Sequence, residues 1–252
     1  MASKLTLDSK LKLSDGTLIP RLGLGVYEMS NEQATRAVTW ALEAEDVFYC
    51  SKLQNNAGYS ATQRSINASL QKCGLEYIDL YLIHSPYGGK KRRLESWKAI
   101  EEAKDQGLIK SVGVSNYGQR HIEELLASSP KHRPTVNQCD LHPFMARAEL
   151  VEYCRGEGIE MECWGPLVRG ERFDHPVLQK IAKKHGKTPA QVLVRWSLQR
   201  GYVTIPKSVS KDRIKENADV YDFELDDKEV EELLKLDEYL VTDWDPIGDS
   251  SV

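Results

Sequence analysis

No apolar run in the sequence approaches the 18 residues that a membrane-crossing helix needs. The opening stretch, MASKLTLDSK, has no apolar core of the length found in secretory signals, and a cytosolic location is the expectation. Cysteine is sparse: Cys50, Cys73, Cys139, Cys154 and Cys163 are odd in number and form no CxxC pair. That argues against a disulfide framework or a thiolate metal site, and it predicts buried, reduced thiols and no bound metal. An excess of one charge is missing too. The net charge of -4 gives no reason to expect nucleic acid or an anionic membrane surface as a partner. The longest basic run, Lys90, Lys91, Arg92 and Arg93, falls between a strand and a helix and reads as a solvated loop. Nor is there a composition shift to mark a linker, so residues 1–252 are read as a single domain.

What is present is alternation. LKLSDGTLIP is a hairpin signal, with Asp15 and Gly16 in the turn of a hairpin placed over residues 5–19. Strand-like segments follow at 22–27, 47–53, 79–85, 111–117, 135–141, 159–165 and 202–206. Between them lie amphipathic helices, one with a stripe of Ala34, Ala37, Val38, Ala41 and Leu42, another with Ile122, Leu125 and Leu126, and a last with Val230, Leu233 and Leu234. Strand-helix alternation of this kind makes a parallel sheet, either open and doubly wound or closed into a barrel. A GxGxxG motif after the first strand is absent, and GLGVY does not replace it, which favours an α/β fold of the (β/α)8 TIM-barrel type.

A closed barrel of that kind needs eight strands, and seven are readable. The helix exits sharpen the point. Gly74, Gly107, Gly158 and Gly201 each sit just past a helix and just before a strand, whereas the junction before VFYCSKL holds only Ala44, Glu45 and Asp46. One whole β/α unit, on the order of 30 residues, is therefore expected to be missing between Ala44 and Glu45.

Reactive groups in such barrels sit at the carboxyl ends of the strands. Here those ends read Tyr27, Lys52, His84, Ser115 with Asn116, Asn137 with Gln138, Trp164, and IPKS at 205–208. Six segments in order, IPRLGLGVY, YIDLYLIHSP, GLIKSVGVSNY, VNQCDLHPF, GPLVRG and IPKSVSKDRIKEN, make the chain resemble an aldo-keto reductase over nearly its full length. The resemblance implies NADPH-dependent reduction of aldehydes or ketones to alcohols, with Lys52 and His84 as members of a catalytic Tyr, Lys, His and Asp set. It implies that Ser115, Asn116 and Gln138 bond the nicotinamide carboxamide while Trp164 stacks on its ring. Gly165, Leu167 and Arg169 would then follow the pyrophosphate, Lys207, Ser208 and Arg213 the 2′-phosphate, and Glu216 and Asn217 the adenine. Tyr27, Tyr87 and Trp244 are read as walls for an aromatic or aliphatic carbonyl compound, in a protein taken to be monomeric.

The family's tyrosine and aspartate belong to the segment that has no counterpart here. Three readings stay open: an ordinary reductase whose chain lacks a segment in this sequence, a catalytically impaired NADPH-binding regulatory or interaction protein, and a fragmentary product that scarcely folds.

Overall fold

The segment LKLSDGTLIP folds back on itself, with β1 (Lys10–Lys12) antiparallel to β2 (Leu18–Pro20), a shorter hairpin than the sequence implies. Leu13 N–H donates to the Thr17 carbonyl at 2.8 Å across the turn. The structure, a computed structural model, describes residues 4–41 and 47–249. After the hairpin come α1 (Asn31–Ala41), β3 (Cys50–Leu53), α2 (Tyr59–Cys73), β4 (Ile78–Ile83) and α3 (Lys90–Asp105). Then follow β5 (Ile109–Ser115), α4 (Gln119–Ala127), β6 (Val136–Asp140), α5 (Ala148–Gly156) and β7 (Glu160–Trp164). The chain continues through α6 (Pro176–His185), α7 (Pro189–Gln199), β8 (Val203–Thr204), α8 (Lys211–Ala218) and α9 (Asp227–Leu234).

Strands β3 to β8 pair in sequence order as a six-stranded parallel sheet, the arrangement that helical crossovers produce. The expected strand at 22–27 is not continuous. It contributes two parallel bridges beside β8, Leu22 to Thr204 and Gly25 to Lys207. Gly25 permits that approach, since a Cβ there would stand 2.7 Å from the Ile205 carbonyl oxygen.

Side-chain alternation splits the core in two. Leu80 and Leu82 face the interior of the strand array and meet Val136, Val203 and the hairpin residues Leu13 and Ile19. Tyr81 and Ile83, on the opposite face, pack with Ile66, Trp97 and Ile100 of the surrounding helices. Burial on both faces is why these strands read as unbroken apolar runs. The helix exits behave as their glycines imply: Gly74, Gly107, Gly158 and Gly201 have φ of 65°, 76°, 70° and 85°. No atom lies within 4 Å of a Cβ built on Gly74, Gly107 or Gly158, so backbone angle rather than crowding selects glycine. The contrasting junction at residues 44–46 lies outside the described residues.

Among the described residues the sheet has two margins with no partner strand. β3 pairs with β4 on one side, the 22–25 segment pairs beside β8, and among the described residues no ladder joins the two. Val26, Tyr27, Val38 and Val47, on or next to these margins, are between 37% and 50% exposed. The stripe expected on α1 is corrected accordingly. Ala37 is fully buried, Val38 and Ala41 are exposed, and Leu42 falls outside the described residues. A helix inside a barrel is flanked on both sides, whereas α1 packs chiefly against α8.

Two other expectations change. The basic run is not a loop but the first turn of α3, and Arg93 in it is buried. Its Nε and Nη2 donate to the two carboxylate oxygens of Glu124 at 2.9 and 3.0 Å, and Nη1 donates to the Pro86 carbonyl at 2.7 Å. Of the cysteines, Cys139, Cys154 and Cys163 are buried as expected, but Cys50 lies half-buried on the margin strand and Cys73 is exposed in the last turn of α2. No helix among the described residues is long and apolar enough to cross a membrane.

Candidate active site

The polar strand ends expected from sequence form one bonded chain. His84 follows β4, and its N–H donates to the Leu53 carbonyl of β3 at 3.0 Å. Asn116, just past β5, donates its Nδ2 to the His84 carbonyl at 3.0 Å and to Ser115 Oγ at 3.1 Å. Ser115 Oγ in turn donates to the Gln138 carbonyl of β6 at 2.8 Å, and the Trp164 indole of β7 donates to Asn116 Oδ1 at 2.9 Å. Asn116 reaches three strands because it sits at φ 59°, the left-handed region that asparagine tolerates better than most side chains. The four strand ends from β4 to β7 are thus tied at fixed spacing.

Around His84 stand the three aromatics read as substrate walls. The Tyr27 ring centroid is 6.0 Å from the imidazole and that of Trp244 is 5.2 Å, while Tyr87 stacks on Trp244 at 5.9 Å. Trp244 belongs to a tail segment held from several directions. Thr242 donates to Asp140 at 3.0 Å, Asp243 pairs with Arg169 at 2.8 Å, and Asp245 pairs with Arg147 at 2.8 Å. Tyr87 OH donates to Asp249 at 3.0 Å.

Burial depresses the His84 imidazole to about 4, and the charge of Lys52 on β3 adds to the effect. The ring is therefore neutral in the physiological range, the form that orients a carbonyl oxygen. An unfolded histidine titrates near 6.5, so the unfolded chain takes up this proton first. His84 accordingly withdraws stability as pH falls from about 6.5 to about 4 and has no effect above that window. Imidazole resonances of His84 should stay flat from pH 8 to pH 5 in an NMR titration. A midpoint near 6.5 would contradict the buried, cation-facing position.

Opposite these groups lies one acid that the sequence reading missed. Glu162 of β7 is buried and accepts a hydrogen bond from Gln138 Nε2 at 2.7 Å. Burial raises its carboxyl pKa, against the Gln138 bond and the Lys52 charge. A period-2 reading of β7 would have found it, since Glu162 and Trp164 point to one face.

Beyond Trp164 the chain turns sharply. Gly165 has φ 64°, and a Cβ there would stand 2.7 Å from Asp140 Oδ1. Leu167 is half-buried, and the next two residues, Val168 and Arg169, both take positive φ, at 53° and 48°. For a β-branched residue that is an outlier of the kind that collects at functional loops. Lys207 and Arg213 are exposed, and neither has an acidic partner among the described residues. Ser208 is buried, its Oγ accepting the Ser210 N–H at 3.2 Å, and Ser210 caps the helix that carries Arg213. Glu216 accepts a bond from Thr188 Oγ1 at 2.5 Å, and Asn217 is buried. The structure thus joins His84, Ser115, Asn116, Gln138 and Trp164 by bonds and His84, Tyr27, Tyr87 and Trp244 by ring contacts, with Lys52 facing them from β3. It sets the 207–217 group on the adjoining segment.

Residues 25–174 and 174–238 match the Aldo/keto reductase family. An uncharacterized oxidoreductase of Schizosaccharomyces pombe is 39% identical over 280 aligned positions, which cover 98% of this chain and 99% of that protein. A glyoxal reductase of Bacillus subtilis is 38% identical over 258 positions, covering 90% of this chain and 92% of its own length. Among solved structures, a point mutant of Gox0644 in complex with NADPH superposes with a TM-score of 0.91 at 32% identity, over 96% of this chain and 99% of that one. With the family matched along most of its length, with relatives of this identity and with a parallel strand array like theirs, the chain belongs to the aldo/keto reductase family.

Proposed function

We propose that the site serves NADPH-dependent reduction of aldehydes or ketones to alcohols, in one barrel domain acting as a cytosolic monomer. We propose further that this chain lacks the second β/α unit between Ala44 and Glu45. The single observation that carries the cofactor half is the bonded run of strand ends from His84 to Trp164, which presents an indole and an amide together. Gln138 Oε1 and the ammonium and guanidinium of Lys207 and Arg213 have no partner among the described residues, the state expected of groups kept for a carboxamide and a phosphate. Trp164 would face the nicotinamide ring, with Ser115 and Asn116 beside Gln138. Gly165, Leu167 and Arg169 would run along the pyrophosphate, and Glu216 and Asn217 would meet the adenine. When bound, NADPH supplies the hydride for the carbonyl carbon. Neutral His84 orients the carbonyl oxygen, Lys52 supplies positive charge nearby, and Tyr27, Tyr87 and Trp244 exclude water from the substrate.

The missing unit is supported from two sides. The aligned span of 280 positions exceeds the 252 residues of this chain although it covers 98% of it, so the relative carries a stretch with no counterpart here. Among the described residues, the outer edge of β3 and the free side of the 22–25 segment have no partner strand, as a barrel short of one unit would leave them. Tyr27 and Tyr59 are poor substitutes as proton donor. Burial, with Glu28 and Asp243, pushes the Tyr27 phenol up rather than down, and the Tyr59 hydroxyl is bonded to Glu102 on α3. Loss of a general acid costs about 10²–10⁴ in rate. The chain is thus expected to bind NADPH and turn over slowly.

Fluorescence titration with NADPH, and NADPH oxidation in the presence of 4-nitrobenzaldehyde, test both halves. Saturable binding with a rate about 10²–10⁴ below that of the Bacillus subtilis relative is expected. Folded protein without affinity for NADPH would sink the nucleotide half, and a rate equal to the relative's would sink the missing donor. Arg213→Ala should weaken NADPH binding about 10- to 100-fold, the range for a hydrogen bond to a charged group, and leave NADH binding unchanged. Equal weakening of both would place Arg213 elsewhere than at the 2′-phosphate.

A further inference from the structure

We infer that Glu162 is a positioning residue that fixes which end of the Gln138 amide faces the cofactor. The inference rests on the nucleotide reading above. Gln138 and Glu162 are register partners on β6 and β7, and both side chains are buried, at 2% and 3% exposure. A glutamine amide can present either its oxygen or its NH2 to a ligand, and the choice follows the bonds it makes on its other side. Gln138 turns its Nε2 to a carboxylate oxygen of Glu162 at 2.7 Å, the orientation in which Glu162 accepts. Oε1 is then the end left over, with no donor among the described residues.

The neighbouring polar groups are already committed. Asn116 spends Nδ2 on the His84 carbonyl and Ser115, and Oδ1 on the Trp164 indole, while Ser115 Oγ is bonded to the Gln138 carbonyl. Gln138 Oε1 is therefore the one acceptor of this group with no bond among the described residues, placed for the NH2 of a nicotinamide carboxamide. An apolar residue would fill this part of the strand interior at lower desolvation cost than an acid, so the carboxylate has to act through what it holds. Sequence periodicity agrees, because Glu162 lies two residues before Trp164 and shares its face of β7.

The test compares wild type, Glu162→Gln and Glu162→Met by calorimetric titration with NADP+, with its 3-acetylpyridine analogue, and with 2′,5′-ADP. In the analogue a methyl group replaces the carboxamide NH2, so an outward Oε1 is left unpaired. Wild type should prefer NADP+ over the analogue by about 10-fold or more. In Glu162→Met the amide is free to turn and donate to the acetyl oxygen, and the preference should fall to near 1 with 2′,5′-ADP affinity unchanged. In Glu162→Gln, where the paired amides have two compatible orientations, the preference should be intermediate, which keeps the test alive should the Met variant fail to fold. An unchanged preference in the variants overturns the inference, as does equal weakening of all three ligands, the mark of a merely structural acid. Wild type that binds 2′,5′-ADP or nothing, but not NADP+, overturns the nucleotide reading instead and this inference with it.

Discussion

On the proposal that this chain lacks a β/α unit, insertion between Ala44 and Glu45 of the stretch that the 39%-identical Schizosaccharomyces pombe relative has in excess is expected to raise aldehyde-dependent NADPH oxidation about 10²–10⁴-fold. The magnitude comes from the chemistry of the tyrosine that the proposed unit would carry. A phenol near pKa 10 donates poorly at neutral pH unless a neighbouring cation lowers it, and Lys52 is the cation in place to do so. In the chain as it stands, Lys52 acts on His84, Glu162 and Cys50, none of which is a phenol. The inserted strand also has somewhere to go: the outer edge of Cys50–Leu53 and the free side of the 22–25 segment are both unpaired among the described residues. A second insert with its tyrosine changed to phenylalanine separates chemistry from folding. Both chimeras should melt higher than the parent, because edges become paired, and only the tyrosine form should gain rate. A well-folded chimera with no gain, or a parent already as fast as the chimera, would show that the proton comes from elsewhere.

How much of this was legible depends on what surrounds each residue. β4 to β7 could be read directly because both their faces are buried, and the strand-like segments at 79–85, 111–117, 135–141 and 159–165 overlap the observed strands. The 22–27 segment is also apolar-rich yet forms two isolated bridges among the described residues, where it has a strand neighbour on one side. The stripe on α1 failed for the same reason. Periodicity reports which face a helix offers, and burial needs neighbours to cover it, which for α1 among the described residues is chiefly α8. The strand-end polar groups were visible because one end of a parallel sheet collects them. Glu162 and Arg93 were not, because a charge in a strand or a basic run reads as solvated until its partner, 24 or 31 residues away, is known. The placement of Trp244 against His84 likewise depends on distant pairings of the tail with Asp140, Arg147 and Arg169.

Glu124→Ala should be strongly destabilising for a truncation outside the site, although Glu124 itself is not fully buried. Its partner Arg93 has a side chain only 8% exposed, against 18% for Glu124, and the bond between them is bidentate. Removing the acid leaves a guanidinium in the interior with only the Pro86 carbonyl to meet it. Breaking one partner of a buried pair costs about 3–5 kcal/mol, which for a chain of this size lowers the melting temperature by roughly 6–20 °C. The cost lies in the stranded charge rather than in the lost attraction, so removing both charges should undo most of it. The double variant Arg93→Met with Glu124→Leu is expected to melt within a few degrees of wild type. A double variant as unstable as Glu124→Ala would mean that the pair is itself the source of stability. The exposed pair Arg133 with Glu157 provides the contrast, since its removal should barely move the transition. Function should register the change as well, because Arg93 holds the Pro86 carbonyl immediately before Tyr87. The single variant should loosen the wall that Tyr87 forms with Trp244, raising KM for an aromatic aldehyde more than it changes NADPH binding. If KM rises and NADPH affinity falls to the same extent, Arg93 supports the whole strand array and not the loop beside the substrate.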